Sequence, residues 1–184
     1  MTSQLLQKIG KKSAIISCAG GVLIFLFYYF TANDKFVFGG LWYLLAACLI
    51  NLVLFILILV RSFKDKQQKK GLLFTAGLMI LNIPIAIFIL WFGGVLLNTM
   101  RITILNSTAR DISEVVIDGC EKKNITVIKA GESKNVWVKI PGDCGIFMIY
   151  QDGTTQKREE VVGYLSRWSG GQVTHLVGTN DIRE

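Results

Sequence analysis

Read from its first residue, the chain passes through three long apolar stretches and then changes to short alternating segments. Ser13 to Ala32, Phe38 to Val60 and Gly71 to Leu97 contain no Asp, Glu, Lys, Arg or His. A bilayer core about 30 Å thick is crossed by roughly 20 helical residues rising about 1.5 Å each. A charge at its centre costs about 3 kcal/mol on insertion scales. Residues 13–32, 38–60 and 71–97 are therefore expected to be transmembrane helices, and residues 1–97 a membrane-embedded region.

From residue 98 the period falls to two, the spacing of a strand with one face buried. Seven strands are expected: Arg101 to Asn106, Glu114 to Asp118, Asn124 to Ile128, Asn135 to Ile140, Ile146 to Tyr150, Glu160 to Leu165 and Gln172 to Val177. Between them lie turn-forming runs such as Asp118-Gly119, Pro141-Gly142-Asp143 and Ser169-Gly170-Gly171. The inward sets are Ile102 and Ile104; Val115 and Ile117; Val136, Val138 and Ile140; Ile146, Met148 and Tyr150. Residues 98–184 thus read as an all-β domain, expected to be an antiparallel immunoglobulin-like sandwich, with a small β-barrel as the alternative.

Composition agrees with this division: 52% of the 184 residues are hydrophobic and the mean hydropathy is +0.48, more than a soluble fold needs. The net charge of +7 suggests nucleic acid until it is located. Lys8, Lys11 and Lys12 give +3 before the first span. Asp34 and Lys35 cancel between the first two. Arg61, Lys64, Lys66, Lys69 and Lys70 outweigh Asp65 to give +4 before the third. The 11 basic and 11 acidic residues from position 98 onward balance, so the β-domain lacks the basic footprint that nucleic-acid binding requires. Lysine and arginine gather on the cytoplasmic side of short loops. The N-terminus and residues 61–70 are therefore expected in the cytoplasm, and three crossings put the β-domain outside it, in the periplasm if the membrane is a bacterial inner membrane. The first span is not read as a cleaved signal, because it ends in the bulky Phe27-Tyr28-Tyr29-Phe30. Cys18 follows Lys12 too closely to be a lipidation site.

Polar and small residues within the spans are read as helix-packing devices. Asn51 and Asn82 lie at similar depth, where a mutual hydrogen bond would hold two helices together by about 0.6 to 2 kcal/mol. Pro84 is expected to kink the third helix or free a carbonyl. Ser17 and Gly21 form a small-xxx-small face, and Ala46 and Ala47 a similar patch. Trp42, Tyr43 and Trp91 suit an interfacial aromatic belt.

Cys18 and Cys48 fall in the spans, which leaves Cys120 and Cys144 as the candidate disulfide, with two unpaired buried thiols as the alternative. One histidine, His175, and two cysteines do not complete a zinc site. His175 lies within a strand and reads as structural. No nucleophile and base share a supporting spacing, and Gly170-Gly171 lacks the context of a phosphate loop, so neither catalysis nor a cofactor is expected. Gln156 to Glu160 reads as a solvated strand edge or loop. Tyr164, Arg167 and Trp168 have the composition of a binding hot spot beside a glycine turn, and are the candidate partner surface. The alternative is that they fill the rim of a small core.

The arrangement resembles small bacterial three-span membrane proteins with an outward β-domain that serve as immunity proteins against secreted antibacterial toxins. The residues that carry the resemblance are Ala86 to Asn106, running directly from span to strand, with Gly131-Glu132-Ser133, Asp143-Cys144 and Val162-Gly163-Tyr164-Leu165. It implies a non-enzymatic, inner-membrane binding protein that neutralises a toxin acting in the periplasm or bilayer. Its partners would be the lipid bilayer and a protein. Two other classes stand beside this: an accessory or structural subunit of an envelope complex, and a ligand-sensing defence effector that disrupts membranes, which would need the β-domain in the cytoplasm.

Overall fold

A computed structural model describes residues 2–178; residues 179–184 of the expected β-domain lie outside the described residues. The chain divides into two compact units, Met1–Gly93 and Gly94–Glu184.

Three helices of membrane-spanning length and hydropathy are present: α1 Ser3–Thr31, α2 Asp34–Lys64 and α3 Lys69–Leu97. Each outruns the apolar stretch that announced it, because a stretch free of charge marks what lipid accepts, whereas a helix continues until its backbone is capped. Thr2 caps α1 by accepting the Leu5 N–H at 3.4 Å, and Ala32 ends the helix in the left-handed region with φ 50°. Asn33 then caps α2 by accepting the Lys35 N–H at 3.0 Å, so only Ala32 and Asn33 separate the two helices. Asp65 plays the same part before α3, accepting the Gln68 N–H at 3.1 Å.

The early start of α1 has a packing reason. Leu6 and Ala14 are buried in one cluster with Ile58 of α2 and Leu72, Ala76 and Met79 of α3, so α1 meets both other helices. Gly10 is where they crowd: a Cβ there would stand 2.7 Å from Ile58 Cδ1 and 2.8 Å from Thr75 Cγ2. The lysine-bearing end is tied by polar contacts. Ser3 donates to Asp65 Oδ2 at 2.5 Å, Arg61 Nε donates to Ser3 Oγ at 3.0 Å, and Gln7 Nε2 donates to Gln68 Oε1 at 3.2 Å. The Ser3 hydroxyl, more than any other group, holds the Asp65 carboxyl below its usual range.

All seven expected strands form: β1 Thr99–Asn106, β2 Ile112–Gly119, β3 Lys123–Ile128, β4 Ser133–Lys139, β5 Cys144–Asp152, β6 Thr155–Leu165 and β7 Gln172–Val177. Their order is β4-β1-β7 in one sheet and β3-β2-β5-β6 in the other. The two sheets do not close into a barrel, which removes that alternative. Nor is the pairing wholly antiparallel, because β1 and β7 run parallel, with Ile102 opposite Val173 and Ile104 opposite His175. The period-2 sets meet in a single core drawn from both sheets, with Ile102, Ile104, Ile117, Val138, Ile146 and Met148 all fully or almost fully buried. β6 begins earlier than its apolar pattern, at Thr155, since the charged run Gln156 to Glu160 pairs residue by residue with β5 from Gln151 to Phe147. Backbone pairing to a neighbour extends a strand beyond the residues that have an apolar reason to be in it.

Candidate functional site

Of the residues singled out within the spans, Asn51 and Asn82 do not bond one another. Both turn to α1. Asn51 Nδ2 donates to Ser17 Oγ at 2.6 Å while its Oδ1 accepts from Ser13 Oγ at 3.2 Å, and Asn82 Nδ2 donates to the Ala14 carbonyl at 2.9 Å. Similar depth in the sequence did not mean facing positions, because α1 lies against both helices. Ser17 is thus a polar contact, while Gly21 meets open space. The close approach belongs instead to Gly20, where a Cβ would fall 2.1 Å from the Tyr43 hydroxyl. That hydroxyl donates to the Ile16 carbonyl at 2.8 Å. α3 runs unbroken through Pro84, whose missing N–H leaves the carbonyl one turn earlier without its usual helical donor.

In the β-domain, Cys120 and Cys144 stand with their sulfurs 1.99 Å apart and Cα atoms 5.2 Å apart, the arrangement of a disulfide. It joins the end of β2 to the start of β5.

Arg167 and Trp168 lie on the link between β6 and β7, and Tyr164 stands just before it, near the end of β6. The Tyr164 hydroxyl donates to the Asp143 carboxylate, which raises the phenol's pKa. Arg167 Nε donates to the Pro141 carbonyl at 3.0 Å, and the Trp168 N–H donates to Asn98 Oδ1 at 3.3 Å. The link folds on itself through Ser166 and Ser169, with the Ser166 N–H donating to Ser169 Oγ at 2.9 Å. The Gly170 N–H then donates to the Leu97 carbonyl at 2.7 Å. A Cβ at Gly170 would lie 2.3 Å from the Leu96 oxygen, so no other residue fits without displacing the backbone. The rings themselves are largely in the open, Tyr164 at 70% and Trp168 at 63% of full exposure. They do not fill the rim of the core.

Two further groupings escaped the sequence reading. Trp137 of β4 pairs directly with Arg101 of β1 and is 40% exposed. Its neighbours Val136 and Val138 turn toward the core, so alternation alone puts Trp137 on the opposite face. The second grouping is polar and crosses from one sheet to the other. His175 Nε2 lies 2.8 Å from Glu159 Oε2, the Tyr150 hydroxyl donates to Glu159 Oε1 at 2.5 Å, and the Gly178 N–H approaches the same oxygen at 3.3 Å. Burial, followed by the Glu159 carboxylate, drives the Tyr150 pKa far up. A carboxylate that accepts from a phenol, an imidazole and an amide is satisfied in place, and the trio serves as a polar clasp between β6 and β7. Among the described residues no three His, Cys, Asp or Glu side chains converge as metal ligands.

No known protein family and no curated protein matches the chain. Among solved structures it is similar to a protein from Eubacterium rectale determined by NMR, with 13% identity over 45% of this chain and 82% of that one, and a TM-score of 0.32.

Proposed function

We propose that this is a membrane-anchored binding protein without chemistry of its own, an immunity protein that neutralises an antibacterial toxin acting in the periplasm or the bilayer. The supporting observation is Trp137 beside Arg101 on the outward face of the β4-β1-β7 sheet, in a domain whose first strand follows a membrane-length helix after the single residue Asn98. Tryptophan and arginine are the residue types that most often dominate protein interfaces, because each buries a large area and still offers hydrogen-bond donors. The β-domain is read as immunoglobulin-like, with its core facing inward from both sheets and its binding face outward.

The orientation belongs to the same reading. The lysines of α1 and of residues 61–70 face the cytoplasm of a bacterial inner membrane, and the β-domain faces the periplasm. A C-terminal fusion to alkaline phosphatase should be active and the matching fluorescent-protein fusion dark.

The decisive experiment removes the gene in its native setting. Self-intoxication that disappears when a neighbouring toxin gene is also deleted supports immunity. Loss of an envelope assembly without toxicity would assign the protein to that assembly instead. In the first case, Trp137→Ala should keep the protein in the membrane at normal abundance yet reduce protection by about 10-fold or more, the scale of a hot-spot residue.

A further inference from the structure

We propose that the link between β6 and β7 is a membrane-interface anchor, with Trp168 and Tyr164 seated in the headgroup layer of the bilayer that α3 crosses. Leu97 is the last residue of α3 and of its apolar stretch, which is longer than the roughly 20 residues a hydrocarbon core needs, so its carbonyl falls at the headgroup end of the span. The link is pinned there by the Gly170 N–H on the Leu97 carbonyl at 2.7 Å and by the Trp168 N–H on Asn98 Oδ1 at 3.3 Å. The Arg101 N–H on the Gly171 carbonyl at 2.9 Å adds a third tie. With about 1.5 Å of helix per residue, these contacts hold the link within a few ångströms of that boundary.

Tyrosine and tryptophan have an apolar body and a polar edge, and they concentrate at the membrane interface because both parts are satisfied there. Trp168 is displayed at a conformational cost, with φ 68° in a region that residues other than glycine rarely enter. The bond to Asn98 holds it there. In water, ordering the backbone to expose an indole gains nothing, whereas at the headgroup boundary it removes apolar area from water. Arg167 uses its Nε on Pro141 and has further guanidinium donors in the fork geometry that suits a phosphate. Asp143, bonded by Tyr164, balances that charge. A zwitterionic headgroup therefore suffices, and anchoring should be nearly insensitive to salt.

The inference does not depend on the immunity reading, since it holds on whichever side of the membrane the β-domain lies. The full chain is reconstituted in phosphatidylcholine vesicles as a variant whose only tryptophan is Trp168, made by Trp42→Phe, Trp91→Phe and Trp137→Phe. Lipids brominated at the headgroup end of the acyl chain should quench its fluorescence roughly two-fold, as contact at the interface requires, and aqueous iodide should quench it little. Quenching by iodide without quenching by brominated lipid overturns the proposal. Protection from both does so as well, because another protein surface then covers the ring. If the triple variant fails to fold, the native chain and Trp168→Phe are compared: the fraction quenched by brominated lipid must fall on substitution, and an unchanged fraction overturns the anchor. Toxin protection is a separate readout, so this result and the immunity result can fail independently.

Discussion

Glu159 joins β6 to Tyr150, His175 and Gly178 through its two oxygens, and its removal has a predictable cost. Glu159→Ala leaves the fully buried Tyr150 hydroxyl and the largely buried His175 ring without their acceptor. An unsatisfied buried polar group costs about 1 to 3 kcal/mol, so the urea midpoint of the β-domain should fall clearly in detergent. A variant as stable as the native chain would show that the clasp contributes nothing. The pH dependence also belongs at this scale. Glu121 is held below its ordinary value of 4.5 chiefly by the Lys139 amide, and Glu132, with the same ordinary value, chiefly by Lys134. Asp152 is held below 3.8 chiefly by Lys157. A depressed carboxyl adds stability that is present above its ordinary value and lost as pH falls through the lower folded one. Tyr150 is the opposite case: its raised pKa adds stability that is complete below 10.0 and lost as pH rises toward the folded value. These groups should therefore lower the midpoint below about pH 4 and above about pH 10. A midpoint that rises on acidification would contradict the carboxylate contacts. His175 on a strand was legible in the sequence, but Glu159 sat in a run that reads as solvated. Nothing local says that a charge on β6 will find an imidazole on β7.

At the scale of elements, the helices are joined by polar contacts to α1 and by close approaches at Gly10 and Gly20. Gly20→Ala forces the Tyr43 ring away and breaks its hydrogen bond to the Ile16 carbonyl. It should destabilise the helical unit by about 1 to 2 kcal/mol, and in a Tyr43→Ala background most of that cost should disappear, since the two residues act through one contact. Equilibrium unfolding in mixed micelles, read by circular dichroism, measures both. Fully additive effects would deny the contact. The presence of three membrane-length helices was legible because lipid imposes a local rule on every residue. The choice of Gly20 over Gly21 was not, because the rotation of α1 that decides it is set by where α2 and α3 lie.

For the whole molecule, the division into two units can be tested by cutting the cross-link in one of them. Reducing Cys120 and Cys144, whose sequence separation is 24, frees a loop whose closure is worth about 3 kcal/mol in the chain-entropy account. Cys120→Ala with Cys144→Ala should lower the β-domain's midpoint by that amount and leave the helical unit unchanged. A loss spread over both units would mean that they unfold together. The sequence by itself determined three spans, seven strands, the inward face of most of them and the placement of the net charge before the first and third spans, because each rests on a run or a period read within one segment. Only the tertiary structure decided the parallel pairing of β1 with β7, the turning of Asn51 and Asn82 to α1, the clasp at Glu159 and the pinning of the Trp168 link to Leu97. Each of these joins residues far apart in the chain, and a pairing of that kind is fixed by how finished elements pack, which no local pattern records.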